Sequence, residues 1–203
     1  MESIFNLNNQ NSNLDSKIVA GLDRISQVFK TLLWEKSKTY NLSPIQIQLL
    51  IFIAYHSSEK TTVSYLSQEF NLSKPTISDT IKTLEQKQFI NKIVDKKDTR
   101  SYRITLTETG KNIVLETENF VNPLTEIITN SKQNDKLVLW ENMTNIIQQL
   151  NELNIISVQR TCFKCKFYSE NNNKSFCNLL NQNLKKEDIR IDCEEFEINK
   201  SSH

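Results

Sequence analysis

Between residues 63 and 106 the spacing of apolar residues changes from a helical period to a strand period, and this change constrains the fold more than any other feature. Val63, Leu66 and Phe70 share one face of a short helix, and Ile77, Ile81 and Leu84 share one face of a second. Asn71-Leu72-Ser73 separates them. Ser73 supplies an N-cap for the second helix and Pro75 sits in its first turn. In FINKIVDKKDTRSYRITL the period then falls to two. Ile90, Lys92 and Val94 alternate with Asn91 and Ile93, and Tyr102, Ile104 and Leu106 alternate with Arg103 and Thr105. DKKDTR lies between the two runs, so they predict a β-hairpin with a basic tip. Two short helices joined by a tight turn and followed by a hairpin form a winged helix.

The flanking segments are helical and carry a surplus of apolar residues. Leu14, Ile18, Leu22, Ile25, Phe29 and Leu32 mark one stripe of a long helix that ends near Tyr40. Ser43-Pro44 opens a short, heavily buried helix, IQIQLLIFIA, and HSSEK breaks it. After Thr107 the pattern is helical again, kinked or divided at Pro123. Leu137, Trp140, Met143, Ile147, Leu150 and Leu153 make a second long stripe. A winged helix alone does not need this much apolar surface, so the long helices predict a homodimer interface. With only two Gly and three Pro, the expected fold class is mainly α with a small β-hairpin wing, a winged helix-turn-helix flanked by long dimerisation helices. The expected organisation is a flexible N-terminus over 1–13, the winged-helix domain with its dimerisation helices over 14–159, and a cysteine-rich tail over 160–203. The opening FNLNNQNSN has no periodicity and reads as a frayed end.

Charge is displaced rather than excessive. The net charge is +1, yet residues 61–111 hold nine Lys and Arg against six Asp and Glu, while 112–159 hold two against six. No signal-like segment opens the chain and no apolar run approaches bilayer length, so the expected location is cytoplasmic, without a membrane partner.

Over residues 14 to 155 the order of elements resembles the MarR family of bacterial winged-helix transcription regulators. The likeness is sharpest in DKKDTRSYRITLTETG, which is similar to that family's D-x-R-D-x-R wing and following L-T-x-x-G. The resemblance implies a sequence-specific transcriptional regulator, a repressor, that binds double-stranded DNA as a homodimer at an inverted repeat. It also implies a small-molecule effector held between the DNA-binding and dimerisation regions. Residues 74–86 become the recognition helix in the major groove, and the wing tip a minor-groove or backbone contact. The candidate DNA-binding residues are Ser73, Lys74, Thr76, Ser78, Lys82, Lys96, Lys97 and Arg100. Lys74, Thr76, Ser78 and Lys82 lie off the apolar stripe and offer donors to bases or phosphates. The plainer reading is that Lys74 and Lys82 solvate a helix face and that Arg100 pairs with Asp98 within the wing. The family pattern is departed from in three places: Lys97 stands where Arg is usual, Asp79 stands in the recognition helix where Arg is frequent, and Gln88 stands where Gly commonly follows that helix.

All four cysteines fall in the last quarter of the chain, as C-x2-C-x11-C-x15-C: Cys162, Cys165, Cys177 and Cys193. A reducing compartment disfavours disulfides. Lys164, Lys166, Lys185, Lys186 and Arg190 surround the cysteines, and such cations lower thiol pKa and offset the charge of a tetrathiolate site. Four thiolates predict a metal site that supplies the folding energy a short tail lacks. Zinc is favoured over an iron–sulfur cluster by frequency of use, although there is a single C-x-x-C and no Gly follows it; unliganded or redox-switched thiols are the remaining reading of the tail, which would make the regulator metal- or redox-responsive. A metal- or thiol-dependent enzyme is the rival class. The only histidines are His56 and His203, and neither a glycine-rich phosphate loop nor a histidine-paired nucleophile is visible, so no enzyme is expected. A winged helix that binds protein instead of DNA is a third reading.

Overall fold

The computed structural model describes residues 3–94, 102–156, 160–171 and 174–199. Eight α-helices occur among them: α1 Leu7–Ser12, α2 Leu14–Tyr40, α3 Pro44–Tyr55, α4 Val63–Glu69, α5 Lys74–Gln86, α6 Glu108–Thr117, α7 Asn122–Thr129 and α8 Gln133–Glu152. The wing strands are β1 Ile90–Val94 and β2 Tyr102–Leu106, and three further strands, β3 Tyr168–Asn171, β4 Lys174–Cys177 and β5 Gln182–Leu184, lie in the tail.

Local chemistry fixes most of the boundaries. The Ser43 hydroxyl accepts from the Gln46 backbone N–H while the Gln46 side chain accepts from the Ser43 N–H, a reciprocal cap with Pro44 at the first helical position. Ser73 caps α5 by accepting from the Thr76 N–H at 3.2 Å. Asn41, at the end of α2, takes the left-handed conformation with φ 51°. Pro123 divides the segment after Thr107: α6 stops at Thr117, a 3-10 turn follows, and α7 restarts with the proline in its first turn.

Helix α3 lies at the centre, with Ile47, Leu49 and Leu50 fully buried and Gln48 on its exposed side. Leu66 of α4, Ile77, Ile81 and Leu84 of α5, Ile90 of β1, Ile104 of β2 and Val114 of α6 close the same core around it. Its burial holds the two short helices and the hairpin in one body. β1 and β2 pair antiparallel, with Ile90 opposite Leu106 and Val94 opposite Tyr102. The Thr61 hydroxyl, almost fully buried, accepts from the Ile104 N–H and fastens the wing to the turn before α4.

Two positions explain sequence features of the wing base. Gln88, where the family pattern has Gly, has φ 59° and takes the left-handed place after α5, a conformation costly for a side chain with a Cβ. Gly110, the glycine of LTETG, lies so close to β1 that a Cβ there would be 2.0 Å from the Phe89 carbonyl oxygen. Thr107 of the same motif caps α6 through the Gly110 N–H and donates its hydroxyl to the Gln88 carbonyl at 2.7 Å.

Three regions depart from the sequence reading. Asn6 caps a six-residue helix, α1, in the segment without periodicity. The tail has a three-stranded antiparallel sheet in the order β3-β4-β5, with Cys177 opposite both Tyr168 and Gln182. Helix α8 presents two faces where one stripe was expected. Trp140 and Glu141 face the tail, where the Trp140 ring N–H donates to the Lys186 carbonyl and the Lys186 ammonium pairs with Glu141. Leu139, Met143, Ile146 and Leu153, three to seven residues apart, remain exposed.

Candidate nucleic-acid interface and the cysteine cavity

The N-terminus of α5 and the exposed side of that helix form the candidate nucleic-acid surface. Ile77, Thr80, Ile81 and Leu84 are buried, which turns Lys74, Thr76, Asp79 and Lys82 to solvent and leaves Ser78 half-buried. Among the described residues neither Lys74 nor Lys82 takes part in an ion pair, so both ammonium groups are available to phosphate oxygens. Ser73 and Thr76 are already used locally, their hydroxyls 2.8 Å apart at the cap. The cap leaves the helix N-terminus, with its partial positive charge, facing outward. Asp79 is exposed on the same face. Lys92 of β1 reaches back to Glu85 of α5 at 2.6 Å and lies over the Tyr102 ring, so hairpin and helix are held together. Lys96, Lys97 and Arg100 lie outside the described residues.

The four cysteines come together. Cys162, Cys165, Cys177 and Cys193 all line one cavity of about 280 Å³, along with the apolar Phe167, Leu179, Leu180 and Leu184. A 3-10 turn over Cys162–Lys164 brings the C-x-x-C pair to one wall, β4 brings Cys177, and the chain after Ile189 brings Cys193. Backbone hydrogen bonds close the module: the Cys162 N–H donates to the Arg190 carbonyl and the Cys193 N–H to the Arg160 carbonyl. The expected cations behave differently from the sequence reading. Lys166 pairs with Glu197, Lys186 with Glu141 and Lys164 with Glu152, so their charge is spent away from sulfur. Arg190 does reach the site: its backbone N–H donates to Cys162 Sγ at 3.3 Å and its guanidinium to Cys193 Sγ at 3.6 Å. Burial pushes the Cys162 and Cys193 thiols up, and the Arg190 contacts only partly oppose it. Among the described residues no three His, Cys, Asp or Glu side chains are arranged to hold a single metal ion.

Arg160, at the head of the tail, was not singled out by sequence reasoning, and it joins the tail to the winged helix together with Asp192. Its side chain is buried against Phe52. The guanidinium donates to Glu69 of α4 at 2.6 and 3.2 Å, to the Tyr65 hydroxyl at 2.9 Å and to both carboxylate oxygens of Asp192. His56, stacked on Phe52, meets the same Asp192 at 3.0 Å. Although burial alone would raise Asp192, the Arg160 and His56 hydrogen bonds hold its carboxyl well below the usual carboxylate range. No local signal announces this cluster, because Arg160 and Glu69 are 91 residues apart.

Among known proteins, residues 40–101 match the MarR family model. The HTH-type transcriptional regulator SarZ of Staphylococcus haemolyticus is 31% identical over 81 residues, which are 38% of this chain and 55% of that regulator. The chain therefore spans about half the length of this curated relative. The crystal structure of the S. aureus MepR–DNA complex superposes with a TM-score of 0.58 at 22% identity, covering 65% of this chain and 97% of that one. Streptococcus pneumoniae FabT in complex with DNA gives 0.57 at 22% identity, covering 68% and 97%. At such identities the two structures establish the fold. No helix among the described residues is long and apolar enough to cross a membrane. With the MarR family model matched over residues 40–101 and the same fold in these structures, the chain has a winged-helix fold and is similar to MarR-family regulators over that part of its length.

Proposed function

We propose that the protein is a DNA-binding transcriptional regulator that acts as a homodimer on an inverted repeat. The observation that carries this reading is the outward face of α5, where a capped helix N-terminus and the unpaired Lys74 and Lys82 project from a winged-helix core. The family match supports it, as do the crystallised DNA complexes of MepR and FabT, proteins of the same fold. The dimer reading rests on what a single chain leaves uncovered. Ile18, Leu22 and Ile25 of α2 and Leu139, Met143 and Ile146 of α8 are all exposed, and α8 meets its own chain chiefly at the turn over Lys186–Asp188. A second copy covers such faces with two-fold symmetry and sets the half-sites about one helical turn, roughly 10 bp, apart. Occupying so long a site excludes other proteins from it, which makes repression the simplest outcome. A groove of about 580 Å³ between α2, the start of α3 and Phe120 lies where a small effector would touch both regions. The test is binding of the full chain to duplexes drawn from a random pool. Retention of symmetric sites with affinity that falls steeply with salt supports the proposal, and salt-insensitive binding or none rejects it.

A further inference from the structure

From the cavity we infer that the four cysteines bind a polynuclear iron–sulfur cluster rather than a single zinc ion, and that Arg160 transmits the occupancy of that site to α4. A lone zinc ion draws four sulfurs to about 2.3 Å from one centre, leaving no space between them. Here, among the described residues, no three His, Cys, Asp or Glu side chains converge on a single ion, while all four cysteines line one cavity of about 280 Å³ with ten other residues. A cluster core, bonded to one thiolate at each of four corners, fills a space of this kind. The irregular C-x2-C-x11-C-x15-C spacing suits it, because the ligands approach from separate segments.

One cation, Arg190, meets the sulfurs directly. A tetrathiolate cluster is anionic, and Arg190 brings a guanidinium to Cys193 Sγ and a backbone N–H to Cys162 Sγ, the donors that stabilise metal-bound thiolates. Three carboxylates also border the cavity. Glu195 accepts from Cys193 Sγ at 3.4 Å and pairs with Arg190 at 3.5 Å, Asp188 accepts from the Lys185 N–H at 2.9 Å, and Glu187 also lines the cavity. Half-buried Phe167 and Leu184 and the exposed Leu179 and Leu180 give the cavity an apolar side. On assembly each thiol gives its proton to solvent as its sulfur bonds iron, and with ferrous and ferric iron supplied in equal amounts the mixed-valent core forms without a further oxidant.

The same segments make the latch. Arg160 precedes Cys162 by two residues and Asp192 immediately precedes Cys193, and these two side chains together grip Glu69 and His56. On the opposite side Lys186 and Trp140 fasten the tail to α8. A cluster that orders both cysteine segments thus fixes the tail as a strut between the DNA-binding helices and an exposed dimer helix. This transmission rests on the DNA-binding reading above, whereas cluster binding does not.

The test begins with the full chain, purified anaerobically with its thiols reduced, freed of reductant and reconstituted with equal amounts of ferrous and ferric iron and with sulfide. Expected are broad visible absorption and iron and acid-labile sulfide in equal amounts, about four of each per chain for the cubane form. Cys177→Ser should lose the chromophore while circular dichroism shows the helices intact. Arg190→Ala should retain the iron but lose it faster on exposure to air. Colourless protein with one tightly held zinc, or with no iron and sulfide after reconstitution, overturns the assignment. For transmission, DNA affinity is compared between loaded and cluster-free protein. At least about a fivefold difference is expected, collapsing in Glu69→Gln at unchanged iron content. Equal affinities of loaded and cluster-free protein overturn the transmission. If the cluster loads and neither form binds DNA, the DNA reading falls and the cluster site stands.

Discussion

Replacing Gly110 with alanine puts a Cβ 2.0 Å from the Phe89 carbonyl oxygen, 2.9 Å from its carbon and 3.3 Å from its Cα. All three are backbone atoms, so no flexible side chain can swing aside. To restore a contact of 3.0 Å, α6 must recede from β1 by about 1 Å, since the present separation is 2.0 Å. That movement pulls on the Thr107 N–H bond to Phe89 O at 3.0 Å and on the Thr107 hydroxyl bond to Gln88. Overpacking of this kind costs about 1–3 kcal/mol, and each weakened hydrogen bond about 1 kcal/mol more. Better helix propensity returns up to about 1 kcal/mol, less here because position 110 is in the first turn of α6. The net expectation is a loss of about 3 kcal/mol, or a Tm lower by about 6–12 °C for a chain of this size. Thermal unfolding followed by circular dichroism measures it. Propensity alone predicts the opposite sign, so a variant as stable as the parent, or more stable, would refute the close approach of α6 to β1.

The other predictions concern the junctions and the two interfaces. Gln88→Gly relieves the left-handed strain and should stabilise the fold by up to about 1 kcal/mol, read in the same melt. Lys82→Ala should weaken DNA binding by about 1 kcal/mol and reduce the salt slope by about one; an unchanged slope would place Lys82 away from phosphate. Leu139→Glu combined with Ile146→Glu puts charge into the exposed α8 face and should give monomers by light scattering at micromolar concentration, with weaker DNA binding; an intact dimer would move the interface elsewhere. Arg160→Met leaves Glu69 without its ion-pair partner and Asp192 with His56 alone. Loss of about 2 kcal/mol of tail docking is expected, discounted because Asp192 is partly exposed, and faster proteolysis of residues 160–199 with the winged helix intact would report it.

What could be read from the sequence was local. The Ser43 and Ser73 caps, the division at Pro123, the bounds of α2 and the two wing strands follow from residue type and periodicity within a few positions. The surface face of α5 was legible for the same reason: once Ile77, Ile81 and Leu84 point inward, Lys74 and Lys82 must point out. Long-range chemistry was not legible. Arg160 reads as one more basic residue beside a cysteine pair until the fold brings Glu69, Tyr65 and Asp192 to it. The lysines among the cysteines suggested low thiol pKa values, but their partners are carboxylates on α8 and at the chain end, and burial dominates at Cys162 and Cys193. β3 and β4 escaped notice because YSEN and KSFC are too short and polar to show alternation.

The most direct test of the central claim is selection of bound duplexes from a random pool by the full chain, followed by titration of the selected duplex at several salt concentrations. The account predicts an enriched inverted repeat with half-sites about one helical turn apart, bound by one dimer, with affinity falling as salt rises. A pool recovered without symmetry or enrichment, or binding indifferent to salt, would contradict it.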